Sequence, residues 1–204
     1  MNARITLAID TSGPHLQLAL ARGGEVAMLV EPLTTGHAEI LFVRLASFLE
    51  QNNLAYSDLT RIAVTTGPGS FTGLRIGISA ARGLGLALGI RVLGIPNLFA
   101  LSLQAPASNR NPIAIVLDAR RSEAYAQRFS APGKPLDEAV VLPHAEAKAQ
   151  YDMLGVHLVS DPRVDIALLA EFALNAESEE FPPVPTYIRA ADAKPQTKKR
   201  IARR

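Results

Sequence analysis

Cysteine is absent from all 204 residues, which removes disulfides, a thiolate nucleophile and thiolate metal sites at once. That absence agrees with a reducing compartment. No apolar run approaches the roughly 20 residues that span a bilayer, so neither membrane insertion nor export is expected, and the cytoplasm is the expected location. Acidic residues are missing from one stretch in particular. Residues 194–204 carry Lys194, Lys198, Lys199, Arg200, Arg203 and Arg204 with no acid, six of the chain's 21 basic residues. The rest holds 15 basic residues against 19 acidic ones, a body of net charge −4, so the basic pI of about 9.1 belongs to the tail. Such a tail is expected to be mobile and solvated, and contact with RNA or an acidic partner surface falls to it.

What is present suits a globular α/β chain. With 48% hydrophobic residues, a chain of this length buries roughly 70% of the surface its unfolded form exposes. Ile5, Leu7 and Ile9 alternate with Thr6, Ala8 and Asp10, and Leu16, Leu18 and Leu20 alternate with Gln17, Ala19 and Ala21, two half-buried strand patterns. Gly23-Gly24 turns the chain into a third strand, residues 25–30. Ala38, Leu41, Phe42, Leu45, Phe48 and Leu49 recur on one helical face and predict a helix over 37–51. A strand over 61–66, a helix over 74–88 stopped at Gly89 and a strand over 90–95 complete the first half.

The second half starts in the same order. An apolar strand, Ile113 to Leu117, ends in Asp118 as the first strand ends in Asp10. A turn at Arg120-Arg121-Ser122, a strand over 124–129, a turn at Gly133-Lys134-Pro135 and a strand over 139–142 precede further helices and a strand. Two lobes of similar order point to a duplication, with the boundary in 105–112, where Pro, Ser and Asn cluster.

Three places are candidates for chemistry. Asp10-Thr11-Ser12-Gly13 is a small polar turn after a buried strand, whose hydroxyls and N–H groups suit a phosphate and whose carboxylate suits a metal-bound water. An aspartic-protease reading of the same string needs a second Asp-Thr/Ser-Gly, which Asp118-Ala119-Arg120 does not supply. The Gly-rich loop with Gly67, Gly69, Ser70, Thr72 and Gly73 lies between strand and helix, where N–H groups face anions, but it lacks a Walker ending and Rossmann spacing. Gly77, Ala80 and Ala81 follow in a helix where interior glycine costs about 0.5–1 kcal/mol, so close packing within the lobe or against another subunit must offset the cost. The third place is His37, which with a second imidazole four residues on would make a metal pair; that position is Leu41, so neither a metal site nor a catalytic residue is expected.

Ile9-Asp10-Thr11-Ser12 with Leu18-Ala19-Leu20, then Gly67 to Gly77 read as GPGSFTGLRIG, then Asp118-Ala119-Arg120 with Glu123 and Tyr125, and finally Tyr187-Ile188-Arg189 with Asp192-Ala193-Lys194 together resemble the TsaB (YeaZ) family. The resemblance implies an actin-like (ASKHA, ribonuclease H-like) fold of two lobes, 1–106 and a reduced 107–193, followed by the basic tail. It also implies a non-catalytic subunit for threonylcarbamoylation of the adenosine next to the anticodon in tRNAs reading ANN codons, paired with a catalytic TsaD-like subunit and a TsaE-like ATPase. The resemblance puts no cofactor on this chain alone and places ATP and metal on those partners, TsaD having the His-x-x-x-His pair that Leu41 breaks here. Asp10, Thr11, Ser12 and Asp118 become vestigial phosphate-binding candidates. Gly73, Arg75, Gly77, Ala80, Ala81 and Arg82 become partner-interface candidates, with a homodimer expected in isolation and tRNA contact indirect or through the tail. A glycoprotease-like peptidase and a free-standing actin-superfamily ATPase or kinase are the alternatives; the first lacks a nucleophile and base, the second a full-sized second lobe.

Overall fold

The computed structural model describes residues 4–106, 112–153, 156–176 and 180–188. The basic tail, Arg189, the Asp192-Ala193-Lys194 string and most of the expected boundary at 105–112 lie outside the described residues.

Alternation of large and small residues builds the first sheet. Strands β1 (Ile5–Asp10), β2 (His15–Arg22) and β3 (Glu25–Pro32) form an antiparallel meander, and β4 (Arg61–Thr65) and β5 (Arg91–Ile95) add in parallel, giving the order β3-β2-β1-β4-β5. Because side chains alternate across a strand, Leu7, Ile9, Leu16, Leu18, Ile62 and Val64 share one face. Helices α1 (His37–Gln51) and α2 (Phe71–Leu88) cover it with Leu41, Leu45, Leu74 and Ile78. The opposite face presents Ala8, Ala19, Ala21 and Ala63, small enough for a helix backbone to come close.

The second sheet repeats the first in miniature. β6 (Ile113–Asp118), β7 (Glu123–Ala131) and the short β8 (Lys134–Pro135) and β9 (Val140–Pro143) form a meander. After α4 (His144–Met153), β10 (His157–Val159) pairs parallel to β6, as β4 pairs parallel to β1 after α1. The shared third-second-first-fourth order agrees with the duplication read from the sequence.

The next helix departs from that plan. α5 (Ile166–Asn175) packs across β1, β2, β3 and β4, on the alanine face of the first sheet. Its Ile166, Leu169, Ala170 and Ala173 join Ala8, Ala19, Leu93, Ile113, Ile115 and Phe129 in one cluster, so both sheets share a core. Arg61 of β4 clamps the far end of α5, its guanidinium donating to the carbonyls of Ala173 and Ala176 at 2.6 Å each. Phe99 of α3 (Asn97–Ser102), Phe129, Phe172 and Phe181 extend the junction as tilted and edge-on ring pairs.

The chain then returns to the first sheet as a strap. Gly94 on the outer strand β5 donates its N–H to the Phe181 carbonyl, and Thr186 donates to the Thr66 carbonyl while its hydroxyl meets that of Thr66 at 2.9 Å. Gly94 has no room for a side chain because the backbone of Pro182 and Pro183 lies against it.

Two expectations need correction. The second helix begins at Phe71 rather than 74, because the Ser70 hydroxyl accepts the Gly73 N–H and caps three further residues into the helix. Phe42, read as part of the buried face of α1, is 48% exposed.

Candidate functional site

The Asp10-Thr11-Ser12 turn stands at the end of β1, buried, with its polar atoms tied to the protein. Asp10 accepts from the Ser12 N–H at 2.9 Å, the Thr65 hydroxyl at 2.6 Å and the Gln17 side-chain amide at 2.8 Å. Thr11 donates its hydroxyl to the Gly73 carbonyl. Ser12 receives the Asn97 amide on its hydroxyl and the Ser70 N–H on its carbonyl, both at 2.7 Å.

The Gly-rich loop is the other half of this contact. A Cβ at Gly69 would strike Ser12, one at Gly73 the Thr11 carbonyl and one at Gly77 the Thr11 hydroxyl. Gly67, at φ 112°, donates its N–H to Asn97 Oδ1 at 2.8 Å. Glycine is needed here because the loop lies backbone to backbone on the Asp-Thr-Ser turn. The N–H groups of Gly67, Ser70 and Gly73 are spent on protein acceptors, and of the loop candidates with a side chain Ser70 and Thr72 are both exposed.

Asp118 repeats one element of this geometry. Its Oδ1 accepts from Arg120 N–H two residues on at 2.8 Å, as Asp10 Oδ1 accepts from Ser12. Yet Asp118 is exposed, and it stands apart from the cleft of about 450 Å³ whose walls include Asp10, Ser12, Pro68 and Asn97 on one side and Asp161 and Arg163 on the other. The candidates therefore separate into Asp10, Thr11 and Ser12 with the Gly-rich loop, and Asp118 alone on its hairpin. Gln17, Thr65, Asn97 and Arg163 join the first group without having been singled out in the sequence; Asn97 follows Pro96 in a short helix and carries no motif to mark it.

His37 sits buried at the start of α1 with its ring nitrogen 3.2 Å from the His15 carbonyl, which requires that nitrogen to carry the proton and donate. Leu41, one turn on, is packed in the core. Among the described residues no three His, Cys, Asp or Glu side chains group as metal ligands.

The interface candidates divide by face. Gly73, Gly77, Ala80 and Ala81 are buried in the single chain, Gly73 and Gly77 against Thr11, so packing within the lobe accounts for their small size. Arg75 and Arg82 point outward, on a stripe running Phe71, Arg75, Ser79, Arg82, Leu86. Leu86 is 87% exposed and Phe71 58%, with the Arg75 guanidinium stacked 3.8 Å over the Phe71 ring. On α1, Phe42 and Val43 are exposed as well. The spacing of 4, 4, 3 and 4 along α2 is the signal that would have found this stripe, but the glycines and alanines obscured it.

Comparison with known proteins sharpens the assignment. The family model of TsaD, tRNA N6-adenosine threonylcarbamoyltransferase, matches residues 31–193. An uncharacterised protein of Mycobacterium tuberculosis is 33% identical over 202 residues, 93% of each chain. The tRNA threonylcarbamoyladenosine biosynthesis protein TsaB of Bacillus subtilis is 33% identical over 66% of this chain and 58% of its own length. The structure of YeaZ from Pseudomonas aeruginosa matches with a TM-score of 0.70 at 27% identity, covering 90% of this chain and 99% of that one. The chain belongs to the TsaB (YeaZ) family. Its two-sheet architecture is accordingly the actin-like one, with a first lobe carrying the Asp-Thr-Ser turn and a smaller second sheet. Among the described residues no helix is long and apolar enough to cross a membrane.

Proposed function

We propose that this chain is a non-catalytic subunit in the biosynthesis of threonylcarbamoyladenosine on tRNA, acting in the cytoplasm by pairing with a catalytic subunit of the TsaD type, with a TsaE-type ATPase joining the pair. The observation that carries this reading is the outward stripe of α2: Phe71 and Leu86 expose apolar surface along it, and the adjacent helix α1 exposes Phe42 and Val43. Exposed apolar surface of this kind, rimmed by Arg75 and Arg82, marks an interaction face. On the isolated protein the same face serves a two-fold homodimer.

The Asp10 turn supports a structural role rather than a catalytic one. Its carboxylate already accepts three hydrogen bonds, and the histidine of α1 is committed to the His15 carbonyl. ATP and metal then belong to the partner subunits. A peptidase needs a nucleophile paired with a base, and nothing around Asp10 supplies one.

The test is binding to a TsaD-type partner by analytical ultracentrifugation. Leu86→Glu and Phe71→Glu are expected to weaken the complex at least about tenfold, roughly 1.4 kcal/mol, with circular dichroism unchanged. Undiminished binding by both variants would place the interface elsewhere. Turnover by the purified chain alone, abolished by Asp10→Ala, would overturn the non-catalytic reading.

A further inference from the structure

The cleft beside the Asp10 turn has two walls, and both are held in place. One is the buried network of Asp10, Ser12 and Asn97, exposed by only 3%, 7% and 3%. The facing wall is Asp161-Pro162-Arg163, in the connection from β10 to α5. Gln104 donates its side-chain amide to the Arg163 carbonyl at 3.1 Å, and Arg163 donates its N–H to Asp161 Oδ1 at 2.9 Å. Val164 and Ile166, next along the chain, are sunk in the shared core. The space between the walls, about 450 Å³, is the size of a small-molecule site.

Polar capacity is left over on both walls. Asp10 Oδ1 receives the Ser12 N–H and the Thr65 hydroxyl, but among the described residues Oδ2 receives only the Gln17 amide, and a carboxylate oxygen takes two donors. The Ser12 hydroxyl accepts from Asn97, while its own proton goes to no acceptor among the described residues. Across the cleft, Asp161 commits one oxygen of two, and the contacts of Arg163 among the described residues are made by its backbone, so its guanidinium is uncommitted. Two carboxylates, one guanidinium and the His15 imidazole therefore border one small space.

That set of charges selects among ligands. A phosphate meets two carboxylates, and the loop N–H groups suited to it are already given to protein acceptors. A simple amine leaves the guanidinium without a counter-charge, whereas a zwitterion answers both signs. The remaining lining includes three rigid apolar rings, Pro14, Pro68 and Pro162. We propose that the cleft binds a small amino acid, with its ammonium between the Asp10 and Asp161 carboxylates, its carboxylate on Arg163 and its aliphatic side chain against the prolines. The Ser12 hydroxyl supplies a further donor. Occupancy ties the 161–163 segment to the Asp10 turn, and it calls for no chemistry on the ligand and no partner subunit.

The experiment titrates the purified, isotope-labelled full chain with L-valine, following amide resonances by NMR. Isobutylamine and isovalerate, which are valine without its carboxylate and without its ammonium, are titrated in parallel. L-valine is expected to saturate with a dissociation constant below about 10 mM, and each fragment to bind at least about tenfold more weakly, because one charge contact is gone. The shifts should centre on Gly13, Gly69, Asn97 and Arg163. Asp161→Asn and Arg163→Gln change exposed side chains and leave the core untouched, so both should keep the parent circular dichroism. Each is expected to weaken valine binding about threefold to tenfold. No saturation by L-valine, a fragment that binds as tightly as valine, shifts centred away from the cleft, or unchanged affinity in both variants overturns the proposal. So does inorganic phosphate or ADP that displaces valine at lower concentration than valine itself binds, which would return the cleft to anions.

Discussion

The Thr11 hydroxyl donates to the Gly73 carbonyl at 2.7 Å across 62 positions of sequence, and the Thr11 carbonyl stands where any Gly73 side chain would have to go. The first strand and the second helix are thus locked backbone to backbone. Gly73→Ala and Gly77→Ala are each expected to cost about 1–3 kcal/mol by overpacking against Thr11. Gly83 sits in the same helix with nothing within 4 Å of the place a methyl group would occupy, so Gly83→Ala is expected to gain about 0.5–1 kcal/mol of helix propensity. Thermal unfolding separates these by sign, at roughly 2–4 °C per kcal/mol for a chain of this size. A lowered midpoint for Gly83→Ala would contradict the assignment of faces.

Asp10 is expected to behave as a structural acceptor. Asp10→Asn turns an amide donor toward Ser12 N–H, the Thr65 hydroxyl or the Gln17 amide, at a cost of about 1.5–3 kcal/mol in urea unfolding at neutral pH. Activity of a complex reconstituted with this variant should follow its folded fraction. A fully folded but inactive variant would restore a chemical role to the carboxylate.

Arg61 holds α5 by two charge-assisted bonds to the helix's last carbonyls. Arg61→Ala is expected to destabilise the protein by about 2 kcal/mol and to speed amide exchange in α5 more than in α1 or α2. Uniform exchange would mean that α5 docks through its apolar face alone.

Alkaline pH should loosen the second lobe first. Tyr151 of α4 is buried against Ala114, Val116, Ala124 and Ala126; that burial, with the Asp137 carboxylate adding to it and Arg128 opposing it, raises its hydroxyl above the usual tyrosine range. A group whose folded pKa is raised contributes stability that is complete below its unfolded value, about 10, and that fades as pH climbs through the folded value. Tyr151→Phe is expected to flatten the decline of the urea midpoint above about pH 10. An unchanged decline would trace it to other groups, among them Tyr56, whose hydroxyl is also raised by burial.

Patterns that depend on neighbours along the chain were legible before the structure. Leu7 and Ile9 against Thr6 and Ala8 declared a strand with two unlike faces, and both ends of α1 fall at His37 and Gln51 as the spacing required. The Gly-rich string was visible as a string, but not what it touches, because its partner Thr11 lies some 60 residues earlier. Nor does periodicity alone tell which side of a helix rich in glycine and alanine meets the sheet; the small residues at Gly77 and Ala81 suit packing within the lobe or against another subunit equally, and only Thr11 and Val64 against Gly77 distinguish the two. α3 was missed because six residues after a proline hold too little of a helical period to detect. The crossing of α5 to the first sheet leaves no local trace, since an apolar helix fits either sheet equally well.

That crossing sets a schedule for the ribosome. The strands of the first sheet are complete by Ile95, while the helix that covers their alanine face begins at Ile166, about 70 residues later. At roughly 5–20 residues per second, the nascent sheet waits several seconds with that face bare. Apart from Leu93 and Ile95 on the edge strand, its lining of Ala8, Ala19, Ala21 and Ala63 offers little for a stray chain to grip during the wait. The side carrying Leu7, Ile9, Leu16 and Leu18 is closed by α1 and α2, both translated before residue 89, so the stickier side of the newborn sheet is sheltered first.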